Sequence, residues 1–349
     1  MLEKNLRDLK EDLLQGKQIV LFLGAGVNFS QGKKLMWTDL LNFLFNHAIA
    51  MLNATTNDIS IVRDVFTDND ISNASYDEIR LKQHIQAQQE FPDEVKASVI
   101  KQLLGDSYIP LLQNFLYEKC NWTVLKDACA DYVNDKQKSK PFHTLFSVAE
   151  LILRYENIKA VVTYNYDYFL SEAIMLLQQQ KQYYDEDLSR LNSTAFKPIE
   201  VYQGWKDEPF TNKGFLIYHI HGAIQPPDRM APNNKNQVVL SLEEIYDMAK
   251  DVYAWQTTTQ LYFLSHYSSV FIGTSLSDMT MKRMIHYANI ERSSENVYYL
   301  TAKTSEDVYV NTLQRLKNSY HTMNGLKVVY DEKGYEHLFN TIKDEKWKM

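Results

Sequence analysis

Four short polar loops carry the side chains of this sequence that could do chemistry. Each loop comes directly after a stretch of apolar, strand-forming residues. Together they offer backbone N–H groups, hydroxyls, amides, carboxylates and imidazoles, which can bind phosphate and sugar and can move a proton. The loops are Gly24-Ala25-Gly26-Val27-Asn28, Thr163-Tyr164-Asn165-Tyr166-Asp167, His219-Ile220-His221-Gly222 and Gly273-Thr274-Ser275-Leu276-Ser277-Asp278.

The first and last loops are rich in glycine and small hydroxyl residues. Glycine lets the backbone turn sharply and approach a phosphate closely, and a helix that follows adds N–H groups. The full fingerprint G-x-G-x-x-G is absent from the first loop, because Phe29 stands at its third glycine position. Both loops can also be ordinary strand-to-helix turns, with Ser277 or Asp278 capping the helix after the last one.

The two middle loops hold the candidates for catalysis. Asn165 and Asp167 stand at alternate positions and could point into one crevice, although Asp167 could equally cap a helix that begins near Tyr168. Histidine titrates near neutral pH and suits a general base, although a strand-end histidine is often structural. On a strand, His219 and His221 would face one way and could suggest a metal, but no third ligand with suitable spacing is evident.

The elements that must position these loops alternate between strand and helix. Short apolar runs predict strands at Gln18–Leu23, Lys159–Thr163, Phe215–His219, Val238–Leu240, Ser269–Ile272, Val297–Leu300 and Leu326–Tyr330. Helical spacing predicts helices between them, the last two at Ser305–Lys317 and Tyr335–Ile342. The alternation predicts an α/β fold, a Rossmann-like doubly wound and mainly parallel sheet whose ligands bind at the carboxyl ends of strands.

Residues 53–141 interrupt this alternation. They contain no clear strand and show helical patterns at Tyr76–Gln89, Glu94–Leu104, Pro110–Glu118 and Val124–Val133. We interpret them as a helical insertion, or subdomain, within a single domain that spans residues 1–349.

Composition excludes several classes of function. The chain has 349 residues, of which 45% are hydrophobic, and a formal net charge of −7. No apolar run could span a membrane and the N-terminus lacks the apolar core of a signal peptide, so we expect a cytoplasmic protein without membrane contact. The acidic balance argues against direct nucleic-acid binding. Two cysteines, Cys120 and Cys129, cannot form a four-cysteine zinc site, and we expect no metal.

In their order, the four loops resemble the sirtuin-like (Sir2-type) family of NAD⁺-dependent enzymes, and most closely its bacterial antiphage branch of NAD⁺-depleting effectors. The family opens with a strand and a Gly-Ala-Gly loop, here at Gly24–Gly26. Gly32 and Trp37 are similar to a glycine and a tryptophan that follow in the bacterial branch, and Val238–Met248 is similar to a strand-helix element found before the last loop.

The resemblance assigns roles to individual residues. The family's Thr-x-Asn-x-Asp loop matches the second loop, its catalytic histidine precedes a glycine, and its Gly-Thr-Ser-Leu loop matches the fourth. The implied catalytic residues are Asn165 and His221. The implied NAD⁺-binding residues are Gly24, Ala25, Gly26, Val27, Asn28, Thr163, Asp167, Gly273, Thr274 and Ser275.

Departures from the family narrow the implied activity. Protein-deacylating sirtuins usually carry a four-cysteine zinc module that this chain cannot build, and Asn28 stands where the family commonly has serine. The resemblance therefore implies an NAD⁺ glycohydrolase that acts in antiphage defence by abortive infection. A protein deacylase or ADP-ribosyltransferase, and a non-catalytic module that senses NAD⁺ or ADP-ribose, are the alternatives.

An unrestrained NAD⁺ hydrolase would kill its host, so the activity should be gated. We expect a homo-oligomer, with the trigger arriving through a partner. Similar bacterial domains can work with a separate ATPase of the DNA-translocase type.

Overall fold

The fold was analysed in a computed structural model of the chain. The structure describes residues 2–28, 39–41, 43–44, 47–48, 93–118, 121–134, 142–181, 199–202, 214–227, 238–250, 254–276, 279–291, 296–303 and 305–344. The predicted helix Tyr76–Gln89 therefore lies outside the described residues, as do Gly32, Trp37, Ser277 and Asp278.

Among the described residues, seven strands form one sheet in which every neighbouring pair is parallel, which confirms the predicted α/β fold. The strands are β1 (Ile19–Leu23), β2 (Ile158–Thr163), β3 (Ile199–Tyr202), β4 (Phe215–His219), β5 (Ser268–Ile272), β6 (Val297–Ala302) and β7 (Lys327–Asp331). Every residue of β1, β5 and β6 is buried, as expected for strands that are covered on both faces.

Helices cover both faces of this sheet. They are α1 (Leu2–Leu14), α2 (Asp93–Leu104), α3 (Tyr108–Tyr117), α4 (Trp122–Asn134), α5 (His143–Arg154), α6 (Phe169–Lys181), α7 (Leu242–Lys250), α8 (Trp255–His266), α9 (Met279–Glu291), α10 (Val308–Met323) and α11 (Tyr335–Lys343). One apolar core joins the sheet to α1, α5, α6 and α11, and a second core joins its other face to α8 and α9. None of the described helices is long and apolar enough to cross a membrane.

The strand order is β3-β4-β2-β1-β5-β6-β7, which places β1 at the centre. The chain moves from β1 to one side of the sheet through β2, β3 and β4, and then crosses to the other side at β5. The carboxyl ends of β1 and β5 therefore flank the point where the winding direction changes, which is where open α/β sheets bind their ligands.

Three elements differ from the sequence-based predictions. The strand predicted at Val238–Leu240 is wrong, because Val238 makes only one antiparallel bridge, to Gly222, and crosses the loop after β4 without joining the sheet. Strand β3 and helix α8 were not predicted. Helix α8 has no strong apolar stripe, since threonine and glutamine occupy much of it.

A buried polar cluster ties the C-terminal helix α11 to α4 and α5. Lys343 Nζ lies 3.0 Å from Glu150 Oε2 and donates to the Tyr132 hydroxyl at 2.7 Å. Tyr132 in turn donates to Glu150 at 2.6 Å. Both charged side chains are almost fully buried, so Lys343 depends on Glu150 for compensation of its lost hydration, while Glu150 is compensated by Lys343 and by Arg154, 2.8 Å from its Oε1.

Replacement of Lys343 by methionine should lower the free energy of unfolding by about 2 kcal/mol, because the buried Glu150 carboxylate loses one of its two cationic partners and keeps only Arg154. Urea denaturation measures the change. The control Lys250→Met breaks an exposed ion pair with Asp247 and should cost less than about 1 kcal/mol. Equal losses in the two variants would contradict the assignment.

Candidate functional site

The loops after β1 and β5 meet at the carboxyl edge through their backbones. Gly24 N donates to Ile272 O at 3.0 Å, and Gly26 N donates to Gly273 O at 2.7 Å. A Cβ atom on Gly24 or Gly26 would lie 2.7 Å from Gly273 O, and one on Gly273 would lie 2.5 Å from Val27 N. The three glycines are therefore required by the contact between the loops themselves.

This contact changes how the first loop can bind an anion. The N–H groups of Gly24 and Gly26 donate to the loop after β5, and Val27 N donates to Gly24 O at 3.2 Å. These three donors are engaged within the protein, so phosphate binding by backbone N–H groups cannot rest on them. Ala25 is half-buried and belongs to the short 3₁₀ turn Ala25–Asn28.

The loop after β5 is held open by two left-handed residues. Gly273 has φ +65° and the buried Leu276 has φ +51°. The Thr274 hydroxyl oxygen accepts from Leu276 N at 3.2 Å, and the Tyr299 hydroxyl donates to Thr274 O at 3.1 Å. Thr274 is half-buried and Ser275 is exposed, so the loop presents its hydroxyl residues at the edge of the sheet.

Asn165 connects three of the four loops. Its side-chain Nδ2 donates to Gly24 O at 3.2 Å, and its backbone N donates to the Thr163 hydroxyl oxygen at 3.1 Å. Its backbone carbonyl lies 2.8 Å from His219 Nδ1. These hydrogen bonds hold Asn165 in place, and because the residue is half-buried, part of it remains accessible at the carboxyl edge.

Asp167 and Asn28 form a buried pair behind Asn165. Asn28 Nδ2 donates to Asp167 Oδ2 at 2.6 Å, and Phe169 N, at the start of α6, donates to Asp167 Oδ1 at 3.1 Å. Asp167 therefore holds the beginning of a helix and the end of the first loop together. Burial raises the pKa of the Asp167 carboxyl to about 6, against the opposing effect of these hydrogen bonds.

The Asn28 side-chain carbonyl is an unused acceptor. Asn28 is 2% exposed, and its Oδ1 receives no hydrogen bond from the described residues. A buried acceptor of this kind costs about 1–3 kcal/mol unless a donor reaches it. A ligand hydroxyl or an ordered water would remove that cost.

The two histidines have different surroundings, because the predicted strand Phe215–His219 is confirmed and His221 lies beyond its end, so the two side chains are not neighbours on one strand. Strand β4 ends at His219, and Ile220–His221 form a turn in which Gly222 N donates to His219 O at 3.0 Å. His219 is buried and stacks on Tyr168, and burial lowers its pKa to about 4, so it is neutral at pH 7. It holds the Asn165 carbonyl and has a structural role.

His221 is half-buried beside two tyrosines of the second loop. Its ring lies edge-on to Tyr164 at 5.4 Å between ring centroids, and 6.5 Å from Tyr166. The Tyr164 hydroxyl donates to Gln260 of α8 at 2.6 Å, and the Tyr166 hydroxyl donates to Val239 O at 2.8 Å. The tyrosines alternate with Thr163, Asn165 and Asp167, and that alternation was the available signal for their role.

Tyr117 of α3 supports two of the loops and was not predicted. Its hydroxyl donates to Ile224 O at 2.7 Å and accepts from Tyr168 N at 3.0 Å. One buried side chain thus fixes the segment after β4 and the start of α6. Nothing in the sequence around Tyr117 indicates this contact, because it joins residues more than 50 positions apart.

Part of the chain, including three of the four loops, is similar to a known protein family. Residues 159–324 match the family model of the SIR2-like domain. The chain is similar to that domain over just under half of its length. The SIR2-like match includes the second, third and fourth loops, while Gly24–Asn28 lies outside it and is joined to it by the contacts with Gly273 and Asn165. No curated protein matches the chain.

The described residues around these loops form no metal-binding cluster. Within the described part of the chain, no three His, Cys, Asp or Glu residues gather into a group that could hold a metal ion. His219 uses its Nδ1 on a backbone carbonyl, which fits a structural histidine.

The close approach of the loops after β1 and β5 can be tested by adding a methyl group at the contact and measuring the free energy of unfolding. Gly26→Ala should lower the free energy of unfolding by about 3 kcal/mol, because the new methyl would meet the Gly273 backbone. In the control Gly16→Ala, a glycine with φ +77° gains a methyl in open space, and the cost should be about 1 kcal/mol. Equal costs, measured by thermal or urea unfolding, would contradict the packing.

Asp167 should leave a signature in the pH dependence of stability. Its folded pKa of about 6 lies above the unfolded value of ~3.9, so between them the folded state holds more protons, and this carboxyl lowers stability as pH rises. The stability of Asp167→Asn minus that of wild type should therefore rise by up to about 3 kcal/mol from about pH 4 to about pH 6. The opposite titration of His219 cancels in this difference.

Urea denaturation at a series of pH values gives this difference. A difference that stays constant, or falls, across the interval would contradict the burial of an ionisable carboxyl at this position.

Proposed function

We propose that the chain is an NAD⁺ glycohydrolase, which cleaves NAD⁺ to nicotinamide and ADP-ribose. The observation that carries the proposal is the position of Asn165. Its amide is fixed on Gly24 O and its backbone on Thr163 and His219, at the carboxyl edge where the winding of the sheet changes direction. The SIR2-like match over these loops fits NAD-related chemistry.

The substrate would lie across the carboxyl edge, between the loops after β1 and β5. Thr274 and Ser275 offer hydroxyls and, with Ala25, backbone N–H groups for the phosphates and the adenosine ribose. The unused acceptor of Asn28 suits a ribose hydroxyl. Asp167, fixed by Asn28 and by the start of α6, orders the loop and is not placed as a nucleophile.

Cleavage would proceed through an oxocarbenium-like state. The bond between the ribose C1′ and the nicotinamide nitrogen breaks, and its electron pair neutralises the positive charge of the ring. Asn165 positions the ribose hydroxyls or the attacking water. His221, in its neutral form, accepts a proton from that water or from a ribose hydroxyl, and a general base of this kind contributes ~10²–10⁴-fold. The proton then passes to solvent.

Two features favour hydrolysis over protein deacylation. The sequence holds two cysteines, so the zinc module usual in deacylating sirtuins cannot form. His221 is half-buried between two tyrosines, which suits a site that must admit a water molecule. We further propose that the enzyme is a gated effector of antiphage defence, kept silent until a partner, such as a separate ATPase, or an oligomeric assembly activates it.

The direct test is an assay of purified protein with NAD⁺, in which nicotinamide and ADP-ribose are separated by chromatography. Wild type should release both, while Asn165→Ala and His221→Ala should each lose about 100-fold or more of the turnover. His266→Ala is the matched control, because His266 is an exposed histidine at the end of α8, and it should keep wild-type turnover. Wild-type turnover in His221→Ala would overturn the role of that residue.

A gated enzyme can be silent in this assay, so calorimetry accompanies it. NAD⁺ binding without turnover would point to a missing activator or to a sensing module. Nicotinamide release only in the presence of an acyl-lysine peptide would favour a deacylase. The absence of both binding and turnover would overturn the proposal.

A further inference from the structure

Helix α10 carries its apolar side chains on the outside of the protein. Its inward side is polar, because Asn311, Gln314, Asn318 and His321 face the body of the protein and are the only less exposed side chains of this helix. The Gln314 amide, for example, donates to the Thr301 hydroxyl at 3.0 Å. A surface helix normally has the reverse arrangement, and an exposed apolar surface of this kind is typical of an interaction site.

The outward residues form one continuous stripe. Large exposed apolar residues follow one another at spacings of four, three, four and three, which is the heptad pattern of helices that pair along a seam. Leu316, at the middle, is 62% exposed, and Met323, at one end, is 82% exposed. We call this set the α10 stripe, and its members are Tyr309, Leu313, Leu316, Tyr320 and Met323.

We infer that the α10 stripe is an interface between two copies of this chain, which pair with their α10 helices antiparallel around a two-fold axis at Leu316. The spacing of the stripe supports this occupant. Around such an axis Leu316 meets its own copy, and Tyr309 faces Met323 of the partner subunit, because each lies seven residues from the axis. Leu313 lies within about 1.5 Å, along the helix, of the level of Tyr320 of the partner subunit. Each pair is apolar, and the pair that joins an aromatic ring with a thioether makes a favourable contact.

The charges beside the stripe also match in this orientation. Glu306 and Asp307 are exposed at the N-terminal end of α10, where Glu306 also pairs with Lys303 at 2.7 Å and Asp307 caps the helix, so this end keeps a net negative charge. A groove of about 760 Å³ flanks its C-terminal half, with Lys282, Arg283 and His286 and no carboxylate among those of its lining residues that the structure describes. An antiparallel pair brings the acidic end of each copy towards the basic groove of the other, whereas a parallel pair would bring like charges together.

The environment of His321 reports the same positive charge. Burial lowers the pKa of His321, and Lys282 and Lys317 lower it further. Acidic groups from a second copy would therefore meet a region whose described lining residues carry positive charge. Pairing through the α10 stripe is independent of the NAD⁺ chemistry, because it can be measured without any turnover.

The first experiment measures mass in solution by sedimentation or light scattering. Wild type should be a dimer, or a larger even-numbered assembly, at micromolar concentration. Leu316→Glu places two carboxylates on the axis and should weaken association by about 30-fold or more. The control Thr322→Glu adds the same charge at an exposed position on another side of α10 and should leave association unchanged.

A second experiment tests the axis itself. With Cys120→Ser as background, Leu316→Cys should form a disulfide between two copies under mild oxidation, because a residue on the axis meets itself. Thr322→Cys should not. Cys129 is buried and its thiol pKa is raised to about 12, so it stays unreactive.

The outcomes separate the possible occupants of the stripe. A monomeric wild type would overturn the pairing of two copies and would leave the stripe to a different protein. A dimer that survives Leu316→Glu would place the interface elsewhere. A dimer that Leu316→Glu dissociates but Leu316→Cys does not cross-link would overturn the antiparallel axis. Far-ultraviolet circular dichroism confirms that each variant is folded.

Discussion

The contact between the loops after β1 and β5 is the constraint on which the site depends. Three glycines let two backbones approach so closely that a single methyl group would collide with a carbonyl oxygen. That approach fixes the position of Gly24 O, on which the Asn165 amide rests. The crevice at the switch of winding direction is thus set by backbone packing, and the side chains around it inherit their positions from that packing.

Polar groups are buried around this contact in an ordered chain of hydrogen bonds. His219 holds Asn165, Asn165 holds Gly24, and Asn28 holds Asp167. Because a buried polar group without a partner is costly, each of these bonds restricts the next one along the chain. These hydrogen bonds hold the base of the site in place, while the half-buried His221 and the hydroxyl residues Thr274 and Ser275 remain accessible.

Much of the fold follows from patterns in the sequence. Apolar runs predicted six of the seven described strands, because each of the six has buried apolar residues at its centre, even where its ends are polar, as at Lys327 and Asp331 of β7. Strand β3, Ile199–Tyr202, escaped notice because it is short and contains a glutamate. The false strand Val238–Leu240 has the right composition but crosses the loop after β4. An apolar composition alone does not distinguish a strand of the sheet from a buried extended segment outside the sheet.

The loops of the site could be located from sequence, but the role of each residue within them could not be predicted. Position after a strand is a local property, whereas the burial of His219, the Asn28–Asp167 pair and the use of glycine N–H groups within the protein depend on residues far apart in the chain. The end of α10 at Met323, beyond the predicted Lys317, was missed because its pattern is the inverse of a packed helix.

The hydroxyl of Tyr117 couples regions of the molecule that the chain order separates. It bonds to the backbone after β4, at Ile224, and before α6, at Tyr168, from a helix that contributes no side chain to the candidate reaction. By thermodynamic linkage, any ligand that binds only when these loops are in place also stabilises α3. The relation is reciprocal. A protein that binds the helices of residues 93–134 thereby changes the affinity for substrate without contacting the site itself.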